Sequence, residues 1–332
     1  MKKLYYYPPA NGPMGYGNPY SINYKSAMSE FFCVMEADNK PQHYCILGAY
    51  IFKRAFQADI YVFNWIENIG VYRMPIIQCI LIILALCIIK IRRRKIIWMF
   101  HNIHPHTGIS IYSRLIQGLL YKFSNLIISH SQEATNYLRE KGIKAEFISH
   151  PIKSFDFKQL NFDEKIYPCD VLIWGTIAKY KGIKEFISIP EIQSSTLKIR
   201  IIGTGKDKKL LEEIASYCTD NIVLEEKRAS YGEIAAYCKK AKYVLFPYVG
   251  DCVSSSGALI DTLAMDGTPI GPNKGAFRDL AHDHLCVTYN NKKELIEILN
   301  SQVTKIETKK FKKENSWSNF AHFVNEKIIK NG

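Results

Sequence analysis

Two hydrophobic periods alternate along the whole chain. Short runs rich in β-branched and aromatic residues read as strands: KKLYYY at 2–7, ADIYVFNW at 58–65, KIIWMFHN at 95–102, NLIISHS at 125–131 and AEFISH at 145–150. Between them, the stretches beginning near Ser21, Pro75, Ser110 and Gln132 carry helical spacing. The pattern pauses over 150–168, a polar, proline-bounded stretch that reads as a linker. A second series then follows, with strands CDVLIWGT at 169–176, TLKIRIIG at 196–203, NIVLEE at 221–226, AKYVLFPY at 241–248, TPIG at 268–271 and LCVTY at 285–289. Helices are expected from Gly182, Asp207, Tyr231, over 257–265 and from Lys292, and a last amphipathic one over 315–330. Strand–helix alternation of this kind predicts an α/β fold of two doubly wound, Rossmann-like domains, with ligands at the carboxyl edges of the sheets in a cleft between them. The expected division is 1–152, 169–314, and a terminal segment 315–332 crossing back to the first domain.

One helix breaks the pattern. From Met74 to Ile91 nearly every position is apolar, and Arg92, Arg93 and Arg94 follow at once. The length is near the lower limit for a membrane span. However, the strand-like KIIWMF resumes directly, and a span would split one sheet across a bilayer. Core helix and membrane-surface helix are the two remaining readings.

Charge sharpens the choice of partners. Lys and Arg number 44 against 31 Asp and Glu, giving a formal net charge of +13, which favours anionic ligands and surfaces. Nucleic acid is not expected, because no helix-turn-helix, zinc-finger or RNA-binding aromatic pattern is present. The nine cysteines are scattered singly without a C-x-x-C pair, consistent with reduced thiols in a cytoplasmic protein.

Four clusters fall on strand-to-helix loops. The loop 8–21 contains Gly12, Gly15 and Gly17, where the backbone can approach a ligand closely, although the spacing is not that of a dinucleotide fingerprint. HNIHPH at 101–106 brings His101, His104 and His106 to a strand end. No H-E-x-x-H helix accompanies them, so no metal is expected, and His101 is the candidate for bonding a sugar hydroxyl or moving a proton. After CDVLIWGT come Gly175, Thr176, Lys179 and Lys181, suited to a diphosphate. The fourth cluster, Ser254, Ser255, Ser256 and Gly257, opens a helix whose unpaired N–H groups and partial positive charge also suit an anion. Arg228 at another strand end is a reserve contact for the donor, and Glu67 in NWIEN is a second candidate base.

In order and spacing, GTIAKYKG (175–182), IIGTG (201–205), YVLFP (243–247) and SSGALIDTLAMDGTPI (255–270) resemble the GT-B nucleotide-sugar glycosyltransferases, family 4 in particular. HNIHPH is similar to the histidine motif of some bacterial polysaccharide transferases. The resemblance implies a first domain for the acceptor and a second for the nucleotide sugar. It also implies metal-independent hexosyl transfer, without a cofactor, from a UDP-sugar in preference to a GDP-sugar. The acceptor would be a lipid-linked or polysaccharide glycan of the cell surface, and the protein would sit peripherally on an anionic membrane at its cytoplasmic face. The chain also departs from the family. Thr176 stands where an arginine is usual, and the paired glutamates would fall near Ser254 and Thr262, with Asp261 beside the second. These departures keep open a noncatalytic subunit of a transferase complex, and a sugar-nucleotide epimerase of similar fold is the other alternative.

Overall fold

A computed structural model of the chain describes residues 1–8, 18–35, 47–71, 74–101, 103, 110–153, 168–250, 256–302 and 305–330. The chain divides into two compact units, Met1–Ser149 with Trp317–Gly332, and His150–Ser316.

The first unit is built on six parallel strands, β1 (Lys3–Tyr7), β2 (Cys33–Val34), β3 (Ile60–Asn64), β4 (Lys95–Met99), β5 (Leu126–Ser129) and β6 (Glu146–Phe147), in the order β2-β1-β3-β4-β5-β6. β1 and β3 to β5 are near-continuous apolar runs because the sheet is covered on both faces. The helices are α1 (Pro19–Met28), α2 (Leu47–Arg54), α3 (Pro75–Ile91), α4 (Ile111–Phe123) and α5 (Gln132–Glu140), and a 3-10 helix runs from Ile66 to Val71. Side-chain caps start several of them: Asn18 for α1, Ser110 for α4 and Ser131 for α5 each accept a first-turn N–H.

The apolar segment at 74–91 is both core and surface. α3 buries Cys79, Ile82, Ala85, Leu86 and Ile89 and presents its other side to solvent. No helix among the described residues is long and apolar enough to cross a membrane.

The second unit repeats the architecture with β7 (Val171–Trp174), β8 (Ile199–Gly203), β9 (Ile222–Glu226), β10 (Tyr243–Leu245), β11 (Pro269–Pro272) and β12 (Val287–Tyr289), ordered β12-β11-β10-β7-β8-β9 and all parallel. This is the doubly wound order in which winding reverses between the first and fourth strands, β7 and β10. Its helices are α6 (Ile183–Ile187), α7 (Pro190–Gln193), α8 (Lys208–Ala215), α9 (Tyr231–Lys240), α10 (Gly257–Ala264), α11 (Gly275–His282), α12 (Lys292–Asn300) and α13 (Lys309–Glu314). The terminal helix α14 (Trp317–Lys330) belongs to the first unit, where Phe320, Ala321, Val324 and Ile328 are buried with Leu4, Tyr6 and Tyr24. Lys327 pairs with Glu146 at 2.9 Å on the same unit.

Candidate active site

In the second unit the loops after β7 and β10 meet at the switch point. The chain leaves β7 through Gly175 (φ +108°) and forms a 3-10 turn, Lys179–Lys181, that ends on Gly182 at φ +64°. Gly182 is required twice over. Its backbone is left-handed, and a Cβ there would sit 1.9 Å from the Pro247 carbonyl oxygen. The close approach is fastened by the Val249 N–H, which donates to the Tyr180 carbonyl at 3.0 Å.

This packing puts Lys181 against Tyr248. The ammonium contacts the Tyr248 hydroxyl, which lies 3.0 Å from the Ser256 hydroxyl. Ser256 is the N-cap of α10, accepting from the Leu259 N–H. A lysine, a tyrosine and a helix N-terminus thus form one connected group at the switch point, a position that suits a phosphate. Burial lowers the Lys181 ammonium to about 7 by stripping its hydration.

Beside this group a hollow of about 370 Å³ opens at the ends of β7, β8 and β9, walled by Trp174, Ile202, Gly203, Arg228 and Tyr231. Its floor is tight, because a Cβ on Gly203 would meet the Gly175 carbonyl oxygen at 1.9 Å. Two hydrogen bonds tie the walls to α10. The Trp174 indole N–H donates to Thr262 Oγ1 at 3.0 Å, and the Tyr231 hydroxyl donates to Asp261 Oδ2 at 3.2 Å. One turn beyond Gly257, Asp261 is thus turned to Tyr231, whereas Thr262 is turned inward to Trp174. Burial raises the Asp261 carboxyl to about 6, against the Tyr231 bond, which lowers it.

The other expected donor contacts are placed unevenly. Gly175, Thr176 and Arg228 line the hollow, and Gly257 begins α10. Lys179 is 82% exposed and reaches toward Asp207, the N-cap of α8, at 3.9 Å, so it is a solvated lysine. Gly15, Ser254 and Ser255, with His104 and His106, lie outside the described residues.

The first unit gathers a second constellation at the carboxyl ends of its strands. His101, which follows β4, bonds Asn64 Oδ1 through Nε2 at 2.7 Å, while Asn64 Nδ2 donates to the Tyr7 carbonyl at 3.5 Å. With that amide orientation Nε2 carries the proton, and Nδ1 is the basic nitrogen of neutral His101. Trp65 stacks on the imidazole, with centroids 4.5 Å apart and planes 18° from parallel. It does so at φ +51°, a costly conformation for a bulky residue. His130, after β5, donates from Nδ1 to the Ile148 carbonyl at 2.9 Å and so accepts the Tyr20 hydroxyl at Nε2, 2.7 Å away.

Glu67 is corrected by the structure. The 3-10 helix turns its side chain into the core, where it is 3% exposed and lies beside Trp98. Burial raises its carboxyl to about 7, and Oε2 has no hydrogen-bond partner among the described residues. A base for an acceptor hydroxyl must be reachable, and this one is sealed.

Tyr248, Tyr231, Trp174, Asn64, Trp65 and His130 were not singled out from sequence. Their one common signal is an aromatic or polar residue within a few positions of a strand's carboxyl end.

Several solved structures share this fold. HepE of Anabaena, in complex with UDP-glucose, superposes with a TM-score of 0.63 at 13% identity, over 98% of this chain and 95% of that one. The lipopolysaccharide outer core galactosyltransferase WaaB gives 0.63 at 10% identity, over the whole of both chains. Trehalose-6-phosphate synthase OtsA gives 0.66 at 8%, over 99% of each. At such identities the shared property is the fold, that of the GT-B glycosyltransferases. No protein-family model matches the chain, and no curated protein matches it by sequence.

Proposed function

We propose that the protein is a glycosyltransferase that moves a hexose from a nucleoside diphosphate sugar, UDP favoured, to a hydroxyl of a lipid-linked or polysaccharide glycan. The observation that carries the reading is the group Lys181–Tyr248–Ser256 at the β7/β10 switch point, together with a hollow at the ends of β7, β8 and β9 whose wall residue Tyr231 bonds the Asp261 carboxylate. The three elements match three parts of one ligand. The hollow suits the base, Asp261 with Tyr231 suits the ribose hydroxyls, and Lys181 with the first amides of α10 suits the diphosphate. HepE supports the nucleotide assignment by analogy of fold, since that protein is seen with UDP-glucose.

In the reaction the bond from the anomeric carbon to the diphosphate oxygen breaks, and the acceptor oxygen bonds to that carbon and gives up its proton. Negative charge grows on the leaving diphosphate. An ammonium and oriented amides in a partly buried setting stabilise that charge more than water would. The acceptor proton needs a base, for which His101 Nδ1 is the candidate.

The test incubates the protein with UDP- and GDP-sugars and follows free sugar, epimer and nucleotide release, with and without a glycan acceptor. Acceptor-dependent release of UDP that persists in EDTA is the expected result. Epimer formation instead, or nucleotide binding with no turnover under any acceptor, would replace this reading with the epimerase or the noncatalytic subunit.

A further inference from the structure

We propose that the outer face of α3 and α4 is a docking surface for an anionic lipid bilayer. α3 is apolar on all sides, the pattern of a helix with no water-facing side. Only one side is covered by its own unit. Ile76, Ile77, Ile80 and Leu84 are between 46% and 56% exposed, and Ile91 at the C-terminal end is 80% exposed. Their spacing forms a stripe along the helix of roughly 23 Å. α4, packed alongside α3, adds Ile111 and Leu115, both more than half exposed. Phe56, also exposed, is brought to the C-terminal end of α3 by Arg92, whose guanidinium donates to the Ala55 carbonyl at 2.8 Å. A stripe of branched aliphatic side chains along one side of α3 is not the scattered exposure of an ordinary surface.

Charge selects the occupant. No acidic residue occurs between Glu67 and Glu133, while Lys90, Arg93, Arg114 and Lys122 are exposed on or beside these two helices. Arg92 and Arg94 are held inward, by the Ala55 carbonyl and by Asp59 at 2.9 Å, so Lys90 and Arg93 are the cations left to face outward at the helix end. An aliphatic stripe with exposed Lys90 and Arg93 at its end fits acyl chains beneath anionic headgroups. A span is excluded for α3 itself, because its opposite side is packed into the core of the unit. The helix therefore lies in the plane of the interface. This surface belongs to the first unit and the nucleotide site to the second, so it can fail without affecting the function proposed above.

The experiment is sedimentation of the full chain with vesicles of phosphatidylcholine alone or of an equal mixture with phosphatidylglycerol. Binding at least tenfold stronger to the anionic vesicles is expected, weakening as salt is raised. Ile80→Ser with Leu84→Ser should reduce it at least tenfold, and Lys90→Glu with Arg93→Glu should abolish the preference for anionic vesicles. Both variants are checked by circular dichroism and by unchanged UDP affinity. Absence of vesicle binding, or binding indifferent to both pairs in folded protein, overturns the proposal. So does a stable dimer in solution that the serine variant dissociates, which would make the face an interface between copies.

Discussion

Lys181 touches the Tyr248 hydroxyl in a buried setting that pulls its ammonium down to about 7. A lysine in that state is poised to gain a proton when an anion arrives. At pH 8 most of the ligand-free protein has a neutral Lys181, and a bound diphosphate restores the charge. UDP binding at pH 8 should therefore take up close to one proton, read by calorimetry in buffers of different ionisation enthalpy. Lys181→Met should abolish the uptake and weaken affinity by about tenfold to a hundredfold, or roughly 1–3 kcal/mol. Unchanged affinity in the folded variant would remove the main reason for placing the diphosphate here.

Asp261 tests the ribose assignment. Ionised, its carboxylate accepts two hydroxyl protons better than an amide does, and burial holds it near 6. Nucleotide affinity should rise as pH increases through about 6. Asp261→Asn should flatten that rise and erase the preference for UDP over 2′-deoxy-UDP. Equal discrimination by wild type and variant would place the ribose elsewhere.

Much of this could be read from sequence, and the gaps have physical reasons. The strands of both sheets announced themselves because doubly covered parallel strands are long apolar runs. β2, only Cys33 and Val34, is too short for any period to show. α11 does not show in the sequence pattern, because it starts at Gly275 close after a strand, with no side-chain cap to mark its beginning. Lys181 was legible as a cation on a loop. Tyr248 was not, since nothing in PY at 247–248 tells that the loop after β7 will close on it. Glu67 misled because the direction of a side chain on a 3-10 turn is set by packing, not by periodicity.

Gly182 carries the closure of those two loops. Gly182→Ala would drive a Cβ into the Pro247 carbonyl in a left-handed backbone, so either the turn or the Tyr248 loop must move. The expected cost is about 1–3 kcal/mol of stability together with weaker UDP binding. Gly257→Ala is the control for stability, because its Cβ meets nothing within 4 Å among the described residues. Equal melting temperatures for the two variants would contradict the close approach.

Glu67 gives a prediction in pH. Its folded carboxyl is raised to about 7 from an ordinary value of 4.5, so the folded state holds the proton more tightly. The associated stability is fully present below about 4.5 and is lost as pH rises through 7. On the order of 3 kcal/mol is at stake across that window. Denaturation of wild type and Glu67→Gln between pH 5 and 8 should show the variant gaining relative stability as pH increases. Transfer activity should stay within a few fold, and a loss of a hundredfold would restore Glu67 as a base.

His101 is the remaining base, and its partner offers the sharper experiment. Asn64 fixes the proton on Nε2, so the basic nitrogen of neutral His101 is Nδ1, and Trp65 holds the ring plane. His101→Ala should lower kcat by about a hundredfold or more, with UDP affinity unchanged, since the nucleotide contacts belong to the second unit. Asn64→Leu keeps the bulk but removes the acceptor that selects the tautomer. It should lower kcat less than His101→Ala does, again without changing UDP affinity. In a His101→Gly protein, added imidazole should restore part of the rate with a pH dependence that follows imidazole itself. A purely structural histidine predicts otherwise: both variants would lose melting temperature, the folded fraction would turn over at the wild-type rate, and imidazole would have no effect.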